Sequence, residues 1–380
     1  MSEFKAGSFI AEDGSNGVDF VGLTTFTSPY YFVPPSGTTA QRPSGEGLTP
    51  GMLRFNTDIG RLEVWRGDHW GIILGDSPDL SGGARGVFAL GYLAPGGNLN
   101  KLEYVTISTL GNSTSFGTLL SSTRQRTGCS SSTRGLIAGG YTGPAYINTI
   151  EYITISSTGN SISFGQLSTA TRAAIPLSSA SSTRGLFAGG YVAPVNTNVI
   201  DYVTIASTGN AVNFGSLSSS GPMGGAGGSC SSSTRAVFGG GENNLNAKIN
   251  VIEYVTISTT GNSISFGNLT VSRRTRACSN ATRGIFCGGY SPTFNSTIDF
   301  IAIASLGNAT NFGNMNVTTD SNGACSSSTR GLFMGGDVPG GTTNRIEYVT
   351  IATTGNGVNF GTLTQNAAQV VGLSNAHGGL

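Results

Sequence analysis

The stretch Ser182-Thr-Arg-Gly-Leu-Phe-Ala-Gly-Gly-Tyr191 decides the fold, because closely similar stretches open six successive blocks of the chain. After a loop of variable sequence, each block continues with a segment like Ile200-Asp-Tyr-Val-Thr-Ile205, then roughly Thr-Gly-Asn and Phe-Gly-x-Leu. The block-opening arginines are Arg85, Arg134, Arg184, Arg235, Arg283 and Arg330, separated by 49, 50, 51, 48 and 47 residues. Self-similarity with a period of about fifty residues is typical of propellers, solenoids and arrays.

The composition favours a folded all-β chain. The 380 residues include 59 glycines, and only 10% are charged, against about 25% in an average globular protein. Apolar residues nevertheless alternate with period two inside every block, which a disordered glycine-rich chain would not maintain. The formal net charge of +1 provides no basic field for a polynucleotide, so nucleic acid is not an expected partner.

The apolar runs are too short for a membrane segment. No run approaches the roughly twenty apolar residues that a membrane helix needs, so we expect no membrane insertion. The first ten residues lack the continuous apolar stretch of a secretory signal. We therefore expect a soluble chain without an export sequence.

Turn signals divide each block into four predicted strands. In the second block the strands are expected at Arg126–Ser130, Gly135–Gly139, Thr149–Ser156 and Ser161–Leu167. The last hairpin turn uses Gly159 and Asn160, residue types that tolerate positive φ. The third strand carries bulky side chains on both faces, as expected of a sheet that packs between two neighbouring sheets.

The last eighteen residues predict how the arrangement closes. Their ending, Gly372-Leu-Ser-Asn-Ala-His-Gly-Gly-Leu380, is similar to Ala277-Cys-Ser-Asn-Ala-Thr-Arg-Gly-Ile285, so the tail is predicted to be a first strand without its own block. The first block lacks such a strand before Arg85. We therefore predict a six-bladed β-propeller in which the C-terminal strand completes the first blade and removes two exposed strand edges.

Two charged positions recur in all six blocks, and both are predicted to be structural because buried charges need partners in every blade. One is the arginine series given above; the other is the acidic series Glu103, Glu151, Asp201, Glu253, Asp299 and Glu347. The expected hairpin register places Glu151 near Gly139, about 16 Å from Arg134. We therefore expect the arginines to bond carbonyls of the Thr-Gly-Asn turns. The acids are expected to accept glycine amides or a side chain of a neighbouring blade.

Four cysteines share one position of the repeat. Cys129, Cys230, Cys278 and Cys325 each lie five residues before a block arginine, and the third block has Ser179 at that position. Because Cys and Ser alternate there, we predict small buried side chains and free thiols.

The loops between the second and third predicted strands vary from block to block, whereas the other turns are nearly identical. In a propeller these variable loops share one face; they span 93–100, 142–148, 192–198, 242–250, 291–296 and 338–344. Candidate ligand-binding residues on them are Tyr146, Asn243, Asn244, Lys248 and Phe294, because rigid scaffolds commonly carry function on loops. Neutral drift of solvent-exposed loops explains the variation equally well.

The sequence offers no enzyme signature. His69 and His377 are the only two histidines, and neither lies at a metal-ligand spacing or within a Ser-His-Asp arrangement. We expect no catalytic residue, no metal and no cofactor, and we interpret His377 as a turn residue. A glycan-cleaving carboxylate pair among the acids stays open, although six equivalent copies favour a scaffold.

The first eighty residues break the repeat. Met52–Thr57, Arg61–Trp65 and His69–Leu74 are predicted to be strands of a small hairpin module. The predicted organisation is an N-terminal arm at 1–48, a β-hairpin module and linker at 49–80, and the propeller at 81–380.

Two parts of the chain resemble known families. Gly51-Met-Leu-Arg-Phe-Asn-Thr-Asp-Ile-Gly-Arg-Leu-Glu-Val-Trp65, followed by Trp70, is similar to a module of bacteriophage tail-fibre and other virion structural proteins. The blocks resemble kelch-like repeats in virion proteins of tailed phages, particularly those that infect marine cyanobacteria. They depart from the kelch pattern because Phe164 and its equivalents stand where kelch repeats have Trp.

The resemblance implies a non-enzymatic virion structural protein that is assembled in the host cytoplasm. The N-terminal region would attach to other virion proteins, with a homo-oligomer expected, and the propeller would be displayed for host-envelope recognition. Its outer partner would be a host surface glycan or protein. The alternatives are a capsid or tail decoration protein without a receptor role, and a virion-associated glycan hydrolase or depolymerase.

Overall fold

The described residues form an all-β structure, which is consistent with a β-propeller-like fold. The computed structural model describes residues 34–45, 47–73, 84–168, 177–192, 195–218, 226–243 and 245–380. The chain divides into two compact units, Met1–Ser77 and Pro78–Leu380. Most of the predicted arm at 1–48 lies outside the described residues. Among the described residues, no helix is both long enough and apolar enough to cross a membrane.

The first unit contains one small sheet. Its strands, in sheet order, are β1 (Ser36–Gly37), β2 (Leu53–Asn56), β3 (Arg61–Trp65) and β4 (Trp70–Ile72), and a short 3-10 helix occupies Thr39–Gln41. The fully buried Glu63 accepts hydrogen bonds from Arg42, Arg54 and Asn56. The bond from Arg42 is the main reason that the pKa of Glu63 is lowered from its usual value. This buried carboxylate ties β2 and β3 to the segment before them.

The second unit repeats one pattern of strands. The first two blocks contain β5 (Arg85–Ala89), β6 (Tyr92–Leu93), β7 (Gly97–Asn98), β8 (Lys101–Thr106), β9 (Thr114–Thr118), β10 (Thr127–Ser130), β11 (Arg134–Tyr141), β12 (Tyr146–Thr154) and β13 (Ile162–Gln166). The next two contain β14 (Leu177–Ala180), β15 (Arg184–Ala188), β16 (Tyr191–Val192), β17 (Val195–Asn196), β18 (Val199–Thr204), β19 (Val212–Ser216), β20 (Gly228–Ser231), β21 (Arg235–Gly239), β22 (Val251–Thr256) and β23 (Ile264–Asn268). The last two and the tail contain β24 (Arg276–Ser279), β25 (Arg283–Tyr290), β26 (Phe294–Ala302), β27 (Thr310–Asn314), β28 (Gly323–Ser326), β29 (Arg330–Met334), β30 (Asp337–Val338), β31 (Gly341–Thr342), β32 (Arg345–Thr350), β33 (Val358–Thr362) and β34 (Val371–Ser374).

These strands form four-stranded antiparallel sheets, which we number by block. The first to sixth sheets have the orders β34-β5-β8-β9, β10-β11-β12-β13, β14-β15-β18-β19, β20-β21-β22-β23, β24-β25-β26-β27 and β28-β29-β32-β33. The tail strand β34 pairs with β5, with Leu373 opposite Val87. The first strands of the sheets contact one another in succession, and β34 contacts both β10 and β28.

The Gly-Asn turn of each sheet, preceded by Thr in four sheets and by Leu in two, hydrogen-bonds to the outer strand of the preceding sheet. Gly209 N donates to Phe164 O (2.9 Å), and the Asn210 side-chain oxygen accepts from Gln166 N (3.1 Å). The same bonds recur around the molecule, including Gly111 N to Phe360 O (3.0 Å), which joins the first sheet to the sixth. Each turn therefore covers a strand edge that would otherwise expose unpaired backbone groups.

This contact corrects our interpretation of the turn glycine. Neither Gly159 nor Asn160 has φ in the left-handed region, so positive φ does not explain the motif in the second block. The glycine that lacks room is the one after the phenylalanine: a Cβ on Gly165 would lie 2.1 Å from Gly209 O. The Phe-Gly pair is thus needed for the close approach of two sheets.

The repeated cysteines pack against the next sheet. All five cysteines of the chain are buried free thiols, as predicted, and burial raises the pKa of Cys230 to about 12. A Cβ on Gly284 of the fifth sheet would lie 2.5 Å from Cys230 Sγ. Where the preceding sheet has the smaller Ser179, the next sheet has Ala236 in place of this glycine. Side-chain volumes at this inter-sheet contact are therefore matched.

Candidate ligand-binding face

The six repeated arginines join each sheet to the next one. Arg134 lies over the ring of Tyr152 in its own sheet, 4.7 Å from the ring centroid. Its Nη1 donates to the carbonyls of Ile205 (3.1 Å) and Ala206 (2.7 Å), just before the Thr-Gly-Asn turn of the third sheet. Equivalent bonds are made by Arg85, Arg184, Arg235, Arg283 and Arg330, and the last of these reaches the first sheet.

The six repeated acids join each sheet to the preceding one. Glu151 accepts from the Leu120 amide of the first sheet (3.0 Å) and from the Ser161 hydroxyl of its own sheet (2.6 Å). Glu103, Asp201, Glu253, Asp299 and Glu347 likewise accept a backbone amide of the preceding sheet. None of these amides belongs to a glycine, so the neighbouring sheet is the partner throughout.

The expected hairpin register is wrong by two residues. Glu151 lies opposite Ile137 rather than near Gly139, and Arg134 lies opposite Thr154. A slip of two residues leaves every side chain on the same face, so the alternation of apolar residues could not distinguish the two registers. A bulge between Ala138 and Gly140 accompanies the observed pairing.

Contacts between neighbouring variable loops show that these loops lie side by side. Asn98 Nδ2 donates to Tyr141 O (3.1 Å), which joins the loops of the first and second sheets. Asn196 Nδ2 donates to Asn243 O (3.0 Å), which joins the third and fourth. These bonds hold the loops in a fixed arrangement.

Tyr146 belongs to a row of aromatic side chains across the first three sheets. Its ring lies 4.8 Å from that of Tyr141 and 5.6 Å from that of Tyr191. The guanidinium of Arg124 lies 5.2 Å from the ring centroids of both Tyr92 and Tyr141. We call Tyr92, Arg124, Tyr141, Tyr146 and Tyr191 the aromatic row. Its side chains are half-buried, and no phenol hydroxyl in it donates to a described residue.

The surroundings of Tyr146 favour its neutral phenol. Desolvation is the main cause that raises the pKa of Tyr146, with smaller contributions from Tyr191 and Tyr141. The row therefore combines flat apolar ring surface, phenol hydroxyl groups and one guanidinium.

The other candidate residues lie elsewhere. Asn243 shapes its own loop, because its side-chain oxygen accepts from the amides of Leu245 (2.9 Å) and Ala247 (3.0 Å). Lys248 pairs with Glu242 (3.0 Å), and Phe294 packs edge-on against Tyr290 (5.7 Å). Asn244 lies outside the described residues.

A charged network occupies the loops of the last three sheets. Arg274 pairs with Glu242 (2.9 Å) and with Asp320 (3.2 Å). Among the described residues, no bond or ring contact joins Tyr146, Lys248 and Phe294, so the predicted candidates do not form one site. Sequence reasoning missed Tyr92, Tyr141 and Tyr191, although the tyrosine after the glycines recurs in several blocks, because candidates were taken only from the variable loops.

A central space lies between the first strands of the sheets. It is partly open to solvent, and its lining includes Ser178, Ser229, Ser279 and His377. Serine hydroxyls bridge neighbouring strands here; Ser279 Oγ, for example, donates to Ser231 O (2.8 Å). In the part of the chain that the structure describes, no group of three or more His, Cys, Asp or Glu side chains is placed to hold a metal ion.

His377 lies at one end of this space and is held in its neutral form. Its Nε2 donates to Ser130 O (2.6 Å), and its Nδ1 accepts from Gly379 N (3.1 Å). Desolvation lowers its pKa from the usual value. A second proton would bind Nδ1, where it would be repelled by the N–H group of Gly379.

We predict that His377 makes the folded state sensitive to acid. Because its pKa is lowered on folding, its contribution is complete above the unfolded value of about 6.5 and is lost as the pH falls through the folded value. Thermal unfolding between pH 8 and pH 5 should therefore show a smaller loss of Tm for His377→Gln than for the wild type. Equal losses in the two proteins would refute this assignment.

Comparison with known proteins does not identify the class of this chain. No model of a known protein family matches it, and a search of curated proteins finds no relative.

Proposed function

We propose that the six sheets are the blades of a closed, kelch-like β-propeller whose C-terminal strand completes the first blade. Three contacts between the sixth and first sheets support closure: Arg330 Nη1 to Ile107 O (3.0 Å), Gly111 N to Phe360 O (3.0 Å), and Thr364 N to Glu103 Oε2 (3.1 Å). Each repeats a bond found between sheets that are neighbours in the sequence. A closed ring would use the same set of bonds at every junction, so these contacts support the proposal.

We further propose that the protein is a non-enzymatic structural component of a tailed-phage virion, a fibre or surface appendage that displays the propeller for host-envelope recognition. The N-terminal region, segments 1–48 and 49–80, would bind other virion proteins and assemble the chain into a homo-oligomer. The resemblance of Gly51–Trp65 and of the repeats to virion proteins supports this assignment, which places the protein in the particle after assembly in the host cytoplasm.

The aromatic row is the observation that carries the recognition role. Half-buried tyrosines whose hydroxyls donate to no described residue offer a flat apolar surface together with hydrogen-bonding groups, and Tyr and Arg are among the residues that most often dominate binding energy. A sugar ring has complementary chemistry, because its C–H face is apolar and its edge carries hydroxyls. We therefore assign a host surface glycan as the partner of this row.

The repeated acids support a role without catalysis. Glu151 and its equivalents accept hydrogen bonds between sheets in all six repeats, so these carboxylates are engaged in the scaffold. A glycosidase needs two carboxylates in different environments, one protonated and one ionised. The decoration protein and the virion-associated depolymerase are kept as alternatives that the experiment distinguishes.

The test combines location, binding and product analysis. Labelled antibody should detect the protein at the tail or on surface appendages of purified particles, and the purified protein should bind host envelope polysaccharide. Tyr146→Ala should weaken binding about thirtyfold, the loss typical of a central aromatic contact. Tyr290→Ala, outside the aromatic row, is the matched control and should bind normally.

Each alternative has its own outcome. A capsid location without polysaccharide binding would favour decoration, and release of oligosaccharide would establish a depolymerase. Recovery of the protein only from host cytosol, and not from particles, would overturn the virion assignment.

A further inference from the structure

The sixth sheet contains a small cavity beside its repeated acid. The lining includes Thr319, Asn322, Gly335, Arg345 and Glu347, and there is room for one group about the size of a water molecule. Glu347 is 2% exposed, and its Oε1 makes no hydrogen bond to a described residue. The Thr319 hydroxyl and both polar atoms of the Asn322 side chain are also buried without a hydrogen bond. Unpartnered buried polar atoms are costly, so their convergence on one cavity indicates that a water molecule or an ion occupies it.

The fifth sheet shows what this place is built to hold. There the fully buried Arg273 pairs with Asp299 at 3.0 Å. The same guanidinium donates to the carbonyls of Gly288 (3.0 Å), Phe286 (3.4 Å) and Thr297 (3.4 Å). At this point of the fifth sheet, one side-chain carboxylate and three backbone carbonyls thus surround a cationic side chain.

Backbone bonds establish that Thr319 occupies the position of Arg273. The carbonyl of Arg273 accepts from Gly241 N of the preceding sheet (2.7 Å), and the carbonyl of Thr319 accepts from Gly289 N in the same way (2.7 Å). The partners of Arg273 correspond to residues that line the sixth-sheet cavity: Glu347 for Asp299, Gly335 for Gly288, Phe333 for Phe286 and Arg345 for Thr297. The sixth sheet keeps the acceptors of the fifth, with a short threonine at the position of the cationic side chain.

We propose that the sixth-sheet cavity binds one monovalent alkali cation, which takes the place of the Arg273 guanidinium. The ligands are hard oxygen atoms: Glu347 Oε1, the Thr319 hydroxyl, the Asn322 amide oxygen and backbone carbonyls. A divalent ion is disfavoured because Ca²⁺ and Mg²⁺ sites need more carboxylate charge or more water. In addition, Arg345 Nη2 lies 3.6 Å from Glu347 Oε1 and already supplies part of the compensating charge.

The experiment measures thermal unfolding of the full chain in the chlorides of sodium, potassium, rubidium and choline at equal ionic strength. An alkali cation should raise Tm by about 2 °C or more over choline, with saturation. Glu347→Gln should abolish this difference. Thr319→Arg should abolish it too, because the new guanidinium brings its own positive charge to Glu347 as Arg273 does to Asp299. Glu103→Gln, which removes a repeated acid from another sheet, is the control and should keep the cation effect.

Diffraction provides a readout that does not depend on variant stability. Crystals of the wild type grown in rubidium chloride should show an anomalous peak within about 3 Å of Glu347 Oε1. Equal Tm in choline and alkali chlorides with no anomalous peak would mean that the cavity holds only water, and this would overturn the proposal. A cation effect that persists in Thr319→Arg would also overturn it.

Discussion

Arg273→Ala is expected to lower the free energy of unfolding by about 3–5 kcal/mol, the cost of removing one partner from a buried ion pair. Arg273 is fully buried, and its guanidinium pairs with Asp299, which is also fully buried. The substitution leaves that carboxylate without its cation and removes one donor from each of three backbone carbonyls. Urea unfolding monitored by circular dichroism gives the difference directly.

A double substitution separates the contribution of the ion pair to stability from the effect of the lost side-chain volume. Because Arg273→Ala combined with Asp299→Ala leaves no unpaired buried charge, its cost should be smaller than the sum of the two single costs. Additive costs, or an Arg273→Ala protein within about 1 kcal/mol of the wild type, would contradict the role given to this pair.

Gly165→Ala is expected to cost about 3 kcal/mol or more, because overpacking alone costs about 1–3 kcal/mol and inter-sheet hydrogen bonds are lost as well. The new Cβ would lie 2.1 Å from Gly209 O, so the second and third sheets must move apart. That movement weakens the bonds from Gly209 N to Phe164 O and from Gln166 N to Asn210.

Gly209→Ala is the matched control for this contact. Its Cβ would meet no atom within 4 Å, and its φ lies outside the left-handed region, so its stability should stay within about 1 kcal/mol of the wild type. Thermal unfolding of Gly165→Ala and Gly209→Ala, each compared with the wild type, measures the two effects on stability. Equal destabilisation by the two substitutions would show that glycine is needed for backbone freedom and not for the approach of the sheets.

The sequence predicted the all-β class and the repeat, because a period of about fifty residues and alternation within strands are visible in one chain. It also indicated the tail strand, since the tail resembles a block-opening strand. The register of Glu151 could not be predicted from the sequence, because a two-residue slip preserves the alternation of apolar residues. Contacts between sheets, such as that of Gly165 with Gly209, could not be predicted either, because nothing in the sequence identifies which residues of neighbouring sheets meet.

The candidate site was less predictable than the fold. Tyr146 was selected from a variable loop, but its neighbours Tyr141 and Tyr191 belong to the repeat and were not among the candidates. Arg273 stands in a segment between blocks, where no periodicity marks its partner. Its role became visible only when the structure placed it beside Asp299.

The measurement that tests the central claim most directly is disulfide trapping of the tail strand in the full chain. Val371 lies opposite Ala89 across β34 and β5, and facing residues of antiparallel strands lie about 4.5–5.5 Å apart at Cα, within the range of a disulfide. Leu177 lies opposite Ala188 at the equivalent position of the third sheet and provides the matched control pair. A closed ring predicts that Ala89→Cys with Val371→Cys oxidises as completely as the control, with a linked peptide in non-reducing mass spectrometry. Cross-linking of the control alone would contradict the closed propeller.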